Sequence, residues 1–112
     1  MASKTASRPK TRPRPELKTR PRKQPPYQVV LLDDDDHSYE YVVQMLQKLF
    51  GHPPTKGFIM ARSVDLEGRA VVFTTTKEHA ELKRDQVHAY GPDSSIKTCK
   101  GSMSAVIEPV EE

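Results

Sequence analysis

Apolar side chains along this chain change their period several times, and each change marks an element. Residues 27–33, "YQVVLLD", form a short run rich in β-branched residues behind Pro25-Pro26. A run of that length and composition predicts a buried strand. From Ser38 the spacing turns helical, with Val42, Met45, Leu46, Leu49 and Phe50 recurring on one face. Gly51 and then Pro53-Pro54 predict the end of that helix. A second helix is expected after Pro54, through "TKGFIMARSVDL", with Gly57 as a weak point in its interior. Glu67-Gly68 reads as a turn, and "RAVVFTTT" (69–76) as the second strand. Thr75 and Glu78 have the spacing of a capping box, so Thr75 is the expected N-cap of a third helix and Glu78 its partner. That helix is expected to run to Gly91. Residues 91–102 then read as a polar loop and 103–110 as a third strand, stopped by Pro109.

The order is strand, helix, helix, strand, helix, strand. Each apolar face needs a partner, and three helices laid on one face of a three-stranded sheet supply it. The expected fold is therefore α+β, of order βααβαβ, with an antiparallel or mixed sheet.

Charge divides the 112-residue chain differently. Residues 1–26 hold nine Lys or Arg and one Glu, while the remainder holds nine basic and fourteen acidic side chains. The formal +3 is thus a tail of +8 joined to a domain of −5. Six of the ten prolines lie in the same tail, whose one large apolar side chain is Leu17. Such a segment buries too little surface to offset the entropy of ordering it. Residues 1–25 are expected to be a disordered basic, Pro-rich tail and 26–112 a single folded domain. No apolar stretch follows the basic residues as in a secretory signal, and none reaches the length of a membrane span. The lone Cys99 leaves no partner for an intrachain disulfide and no multi-cysteine zinc site. It is expected to be an inert loop thiol in a soluble, cytoplasmic protein.

"LLDDDDHSYEYV" (31–42) raises the question of chemistry. Aspartates at a strand-to-helix corner accept hydrogen bonds from free helix N–H groups and favour the positive end of the dipole. One or two serve that purpose; four repel one another. Consecutive residues of extended chain point to alternate sides, so few of the four would converge on a divalent metal, and the Asp-x-Asp-x-Asp-Gly spacing of a calcium loop is missing. A phospho-acceptor receiver domain also has an acidic pair after its first strand, but needs more parallel strands than this length provides. The remaining cation is an amine. A carboxylate corner beside an apolar groove suits the α-amino group of a peptide whose first side chain enters the groove.

At this point the order of elements and the residues together resemble the ClpS family, adaptors that deliver N-degron substrates to the ClpA-type unfoldase of the ClpAP protease. The resemblance runs from about Pro26 to Pro109. It rests on an apolar strand followed by Asp33-Asp34-Asp35 where the family has Asn-Asp-Asp, on "EYVV" (40–43) with "LQKLF" (46–50), and on "EGRAVV" (67–72), "KEHAELK" (77–83) and "AVIEP" (105–109) in the family's order. The resemblance implies that Asp33, Asp34 and Asp65 hold a substrate's α-amino group. Asp33 stands where the family has Asn, and Asp65 where it has His. The implied groove lining is Leu31, Asp35, His37, Tyr39, Val42, Ala61, Val64 and Met103, with Tyr39 and Ala61 at two positions that usually hold gating methionines. The implied unfoldase-docking residues are Glu78 and Lys83 on the third helix.

His52, His79 and His88 have no Ser, Cys or Glu partner at a catalytic spacing, and the chain shows no phosphate loop or acid–base pair. No enzyme, cofactor or metal is expected. The leading reading is a non-enzymatic adaptor whose partners are a ClpA/ClpC-type AAA+ unfoldase and N-degron protein substrates. A ClpS-like paralogue that docks the unfoldase but reads a different signal, or none, stays open beside it. So does a nucleic-acid or ribosome-associated protein working through the basic tail, although the tail lacks aromatics for base stacking.

Overall fold

The computed structural model describes residues 24–33, 37–97, 99 and 101–111. Most of the expected tail, and Asp34, Asp35 and Asp36, lie outside those residues. The elements are β1 (Tyr27–Leu32), α1 (Tyr39–Phe50), α2 (Pro54–Glu67), β2 (Arg69–Thr75), α3 (Lys77–His88) and β3 (Ala105–Pro109). The expected order βααβαβ holds, and the sheet is antiparallel throughout, with β1 between β2 and β3.

β1 is central because its apolar run has two faces to bury. Val29 and Leu31 meet the helices, packing with Val42, Met45, Leu46, Val64, Val72 and Val87 in one core. A register shift between Val29 and Val30 lets both Val72 and Phe73 of β2 pack with that core. Val30 is also fully buried, on the other face, in register with Val71 and Val106. Arg69 and Glu108 reach from the two outer strands and join at 2.7 Å. Since Arg69 is level with Leu32 and Glu108 with Gln28, this pair crosses β1 above Val30. Burial of each such side chain stabilises the fold by roughly 1.5–3 kcal/mol.

The helix ends follow local chemistry. Ser38 caps α1, its Oγ accepting from the Tyr41 N–H at 3.2 Å. Gly51 ends α1 in the left-handed region at φ 75°, a conformation that costs a glycine little. Pro53 and Pro54 open α2, where the missing N–H would have had no helical partner anyway. Gly57 lies where α2 crosses α1, facing Val43.

Three expectations need correction. α3 is capped by Thr76, not Thr75: the Thr76 Oγ1 accepts from His79 N–H at 3.3 Å. Glu78 therefore sits one position too early to close a capping box. α3 ends at His88 rather than reaching Gly91, and β3 starts at Ala105 and includes Pro109 at its edge. Between them, Gly91, Asp93 and Cys99 are tied down by hydrogen bonds.

Candidate functional site

The end of β1, the first turn of α1, the second half of α2 and the residue Met103 before β3 meet at one cleft. Asp33, His37, Ser38, Tyr39, Val42, Ala61, Val64, Asp65 and Met103 line it. Its floor is apolar, since Val42, Ala61, Val64 and Met103 are all buried. Its lining is also acidic, with the exposed Asp33 and Asp65 among it. The backbone of Asp33 is anchored by an N–H bond to Gly68 O at 3.1 Å.

Seven of the expected site residues thus meet with Asp33: His37, Tyr39, Val42, Ala61, Val64, Asp65 and Met103. Leu31 does not join them at the surface; it is fully buried in the core below. Asp34 and Asp35 lie outside the described residues. The small side chain at Ala61 does not leave its side of the cleft open. Tyr39 spans it: the phenol donates to Asp65 Oδ2 at 2.8 Å, and the ring packs on Phe58 with centroids 5.2 Å apart. The cleft is left with about 40 Å³ of free volume. The bond to Asp65 is also what raises the Tyr39 hydroxyl above its ordinary pKa, with some desolvation added.

Met103 reaches the cleft from a segment that sequence reasoning passed over as a polar loop, and Asp93 of that segment braces Ser38 from outside the cleft lining. Asp93, 5% exposed, accepts three hydrogen bonds: from Ser38 N–H at 2.8 Å, Ser95 N–H at 3.0 Å and Ser95 Oγ at 2.6 Å. Burial pushes its pKa up, but the bonds from Ser95 and Ser38 outweigh this and hold the carboxyl well below its ordinary range. The Asp93–Ser94–Ser95 turn does have a sequence signature, an Asp bonding the N–H two residues on. Its link to Ser38 has none.

Other bonds tie the same loop down. His37 donates from Nε2 to Gly101 O at 2.8 Å, and its ring lies 4.5 Å from that of Tyr41. The Tyr41 hydroxyl donates to Gly91 O, and burial pushes its pKa up to about 12. Cys99 is knitted in as well, accepting from Asp93 N–H at 3.1 Å and lying 3.4 Å from His37 Nε2. The other histidines are tied to backbone or hydroxyl groups: His52 to Val72 O, His79 to Thr75 and His88 to Ala105. Among the described residues no cluster of His, Cys, Asp and Glu has the makings of a metal site. None of their helices is long and apolar enough to cross a membrane.

On the opposite side, α3 carries the two expected docking residues. Glu78 is exposed in the first turn. Lys83 is not the solvated charge that its position suggested: its ammonium donates to Leu49 O at 2.6 Å and lies over the Phe50 ring. It caps the end of α1, where a cation complements the helix dipole. The described chain begins beside Glu78, where Gln24, Thr76, Lys77, Glu78 and Glu81 surround a shallow hollow.

Comparison with known proteins places these features. The family model "ATP-dependent Clp protease adaptor protein ClpS" matches residues 22–96. The chain is 43% identical over 75 residues to the ATP-dependent Clp protease adapter protein ClpS of Ruegeria sp. (strain TM1040), covering 65% of this chain and 66% of that protein. It is 37% identical over 73 residues to the ClpS of Hydrogenovibrio crunogenus, covering 63% and 70%. The chain therefore spans about two thirds of the length of these curated relatives. Agrobacterium tumefaciens ClpS2, solved bound to L-phenylalaninamide, shares the fold with a TM-score of 0.68 at 24% identity, over 79% of this chain and all of that one. With its family model matched from the last tail residues through α3 and into the following loop, this chain belongs to the ClpS family of ATP-dependent Clp protease adaptors.

Proposed function

We propose that this chain is a non-enzymatic adaptor that holds the free N-terminus of a protein substrate in the cleft between α1 and α2. Through α3 it docks on a ClpA/ClpC-type AAA+ unfoldase. One observation carries the first half: side chains far apart in sequence converge on a cleft with an apolar floor and carboxylates in its lining. An α-ammonium complements the carboxylates, and an apolar first side chain complements the floor. Asp33, Asp34 and Asp65 are the proposed amine contacts, with Asp34 the principal one. L-Phenylalaninamide, the ligand of the structural relative, has the same two parts, a free amine and an apolar side chain. Asp33 and Asp65, standing where the family has Asn and His, also make Arg and Lys more acceptable first residues here. Tethering a substrate beside the unfoldase raises its effective concentration without new chemistry.

A set of fluorescent peptides differing only in the first residue, each with a free and an acetylated amine, tests this reading. Free peptides should bind, more weakly as salt rises; acetylated ones should not, and Asp34→Ala should abolish binding. Equal affinity for the two sets would show that the carboxylates do not read an amine. Docking is tested by calorimetry against the unfoldase N-terminal domain. Glu78→Lys is the cleaner variant, because changing Lys83 also uncaps α1. Deleting residues 1–24 should leave docking intact and impair delivery. Steeply salt-dependent RNA binding lost with the same deletion would favour a nucleic-acid role instead.

A further inference from the structure

Tyr39 stands at a position where the ClpS family has a gating methionine, and we propose that here Asp65 latches it, so that a peptide's ammonium admits the side chain behind it by taking the phenol's place on Asp65. This rests on the peptide-binding reading above and adds to it how the site opens.

The geometry sets the problem. Phe58, Ala61 and Asp65 follow one another at spacings of three and four on α2, so they share a face. Tyr39, the first residue of α1, meets that face at both ends: its ring packs on Phe58 and its hydroxyl bonds to Asp65. The pocket behind it keeps about 40 Å³, far below the roughly 150 Å³ of a cavity that takes up benzene. No leucine or phenylalanine side chain fits in that space. Val42, Ala61, Val64 and Met103 cannot retreat to make room, because each is buried in close-packed surroundings. Tyr39 is the part-exposed wall, held at its tip by a hydrogen bond at the protein surface.

The electrostatics supply the release. A neutral phenol on a surface carboxylate is a weaker partner than an ammonium, whose bond to the same oxygen is charge-assisted. A peptide amine arriving at the cleft therefore competes for the group that holds the gate shut. Arg62, three residues before Asp65, lowers the cost of ionising the phenol but leaves the carboxylate's effect on it dominant. Amine recognition and pocket opening become one event, with Tyr39 setting which first residues enter.

L-Phenylalaninamide and its N-acetyl derivative are suitable probes, with ¹³C-labelled tyrosine to follow the Tyr39 ring by NMR. Tyr39 should titrate above an ordinary tyrosine in the free protein and return towards the ordinary value in Asp65→Asn and on saturation with L-phenylalaninamide. Tyr39→Phe keeps the ring and removes the latch, so it should bind L-phenylalaninamide about 3- to 10-fold more tightly than the wild type. Tyr39→Ala should do the same even if the phenylalanine ring alone obstructs the pocket. If wild type and both variants bind equally, Tyr39 is no gate while the peptide reading stands. If none of them binds, the peptide reading falls and the gate with it. A Tyr39 resonance unmoved by saturating ligand would likewise overturn the proposal.

Discussion

Asp65 lines the cleft, Asp93 lies outside its lining and braces Ser38 from behind, and the protein uses the two aspartates in opposite ways. Asp65 is exposed and takes a bond from the Tyr39 phenol. Asp93 is buried and takes three, two of them from backbone N–H groups. Hydrogen bonds to a surface carboxylate contribute little net, because water competes for both partners. Buried ones are costly to lose, since their donors are left unsatisfied. One contact is thus built to come apart and the other to stay. A groove that admits a ligand needs a fixed reference beside it, and Asp93 supplies it by pinning the Asp93–Ser95 turn to Ser38 at the start of α1.

The largest effect should come from breaking the fixed side. Asp93→Ala strands the N–H groups of Ser38 and Ser95 and should cost about 2–4 kcal/mol of stability, read by urea unfolding. Ligand affinity should fall with it, because His37 and Met103 depend on the same loop. A loss below about 0.5 kcal/mol would mean that the loop is held by Tyr41 and His37 instead.

The breakable side should respond in the other order. Asp65→Asn keeps an acceptor for the phenol but loses the charge, so stability should change by less than about 0.5 kcal/mol. Affinity for L-phenylalaninamide should drop about 10-fold. A stability loss as large as that of Asp93→Ala would erase the distinction between the two carboxylates.

Acid sharpens the contrast further. The pKa of Asp93 is held below its ordinary value of 3.8 in the folded chain. The unfolded chain therefore takes up the proton first, and the stability that Asp93 contributes is complete above that value and lost as pH falls below it. Asp93→Asn should flatten the acid limb of a stability–pH profile. An unchanged limb in Asp93→Asn would assign the acid sensitivity to other carboxylates, Glu108 first, since Arg69 lowers its pKa too.

What sequence could and could not tell divides along the same line. β1 and α1 were legible because period and composition agree over whole segments. Family resemblance grouped Val42, Ala61, Val64 and Met103, and the structure gathers the same four at one cleft. The two bonds that distinguish the aspartates were not legible. Tyr39–Asp65 joins residues 26 apart and Ser38–Asp93 residues 55 apart, and neither pairing leaves a local pattern. The cap of α3 failed for a different reason. Thr74, Thr75 and Thr76 are consecutive, and S/T-x-x-E spacing picked Thr75 through Glu78, while packing of the helix selects Thr76. Lys83 looked like a helix-surface charge because its partner, Leu49 O, is a backbone atom that no side-chain pattern marks.

Gly57 gives the smallest effect and the finest test. It lies where α2 passes α1, so it helps set the distance between the helices that carry Asp65 and Tyr39. A Cβ added there would meet the Val43 Cα at 3.5 Å and Cγ1 at 3.6 Å, ordinary contact distances that demand no shift. Its backbone is helical, so alanine is not strained, and replacing glycine inside a helix stabilises by about 0.5–1 kcal/mol. Gly57→Ala should therefore raise the unfolding midpoint slightly and leave L-phenylalaninamide binding unchanged. If stability rises but affinity falls, the helices must draw closer when the cleft is occupied, and glycine at 57 is there to allow it. If stability falls, the helices are already at their limit and the gate must open by rotation of Tyr39 alone.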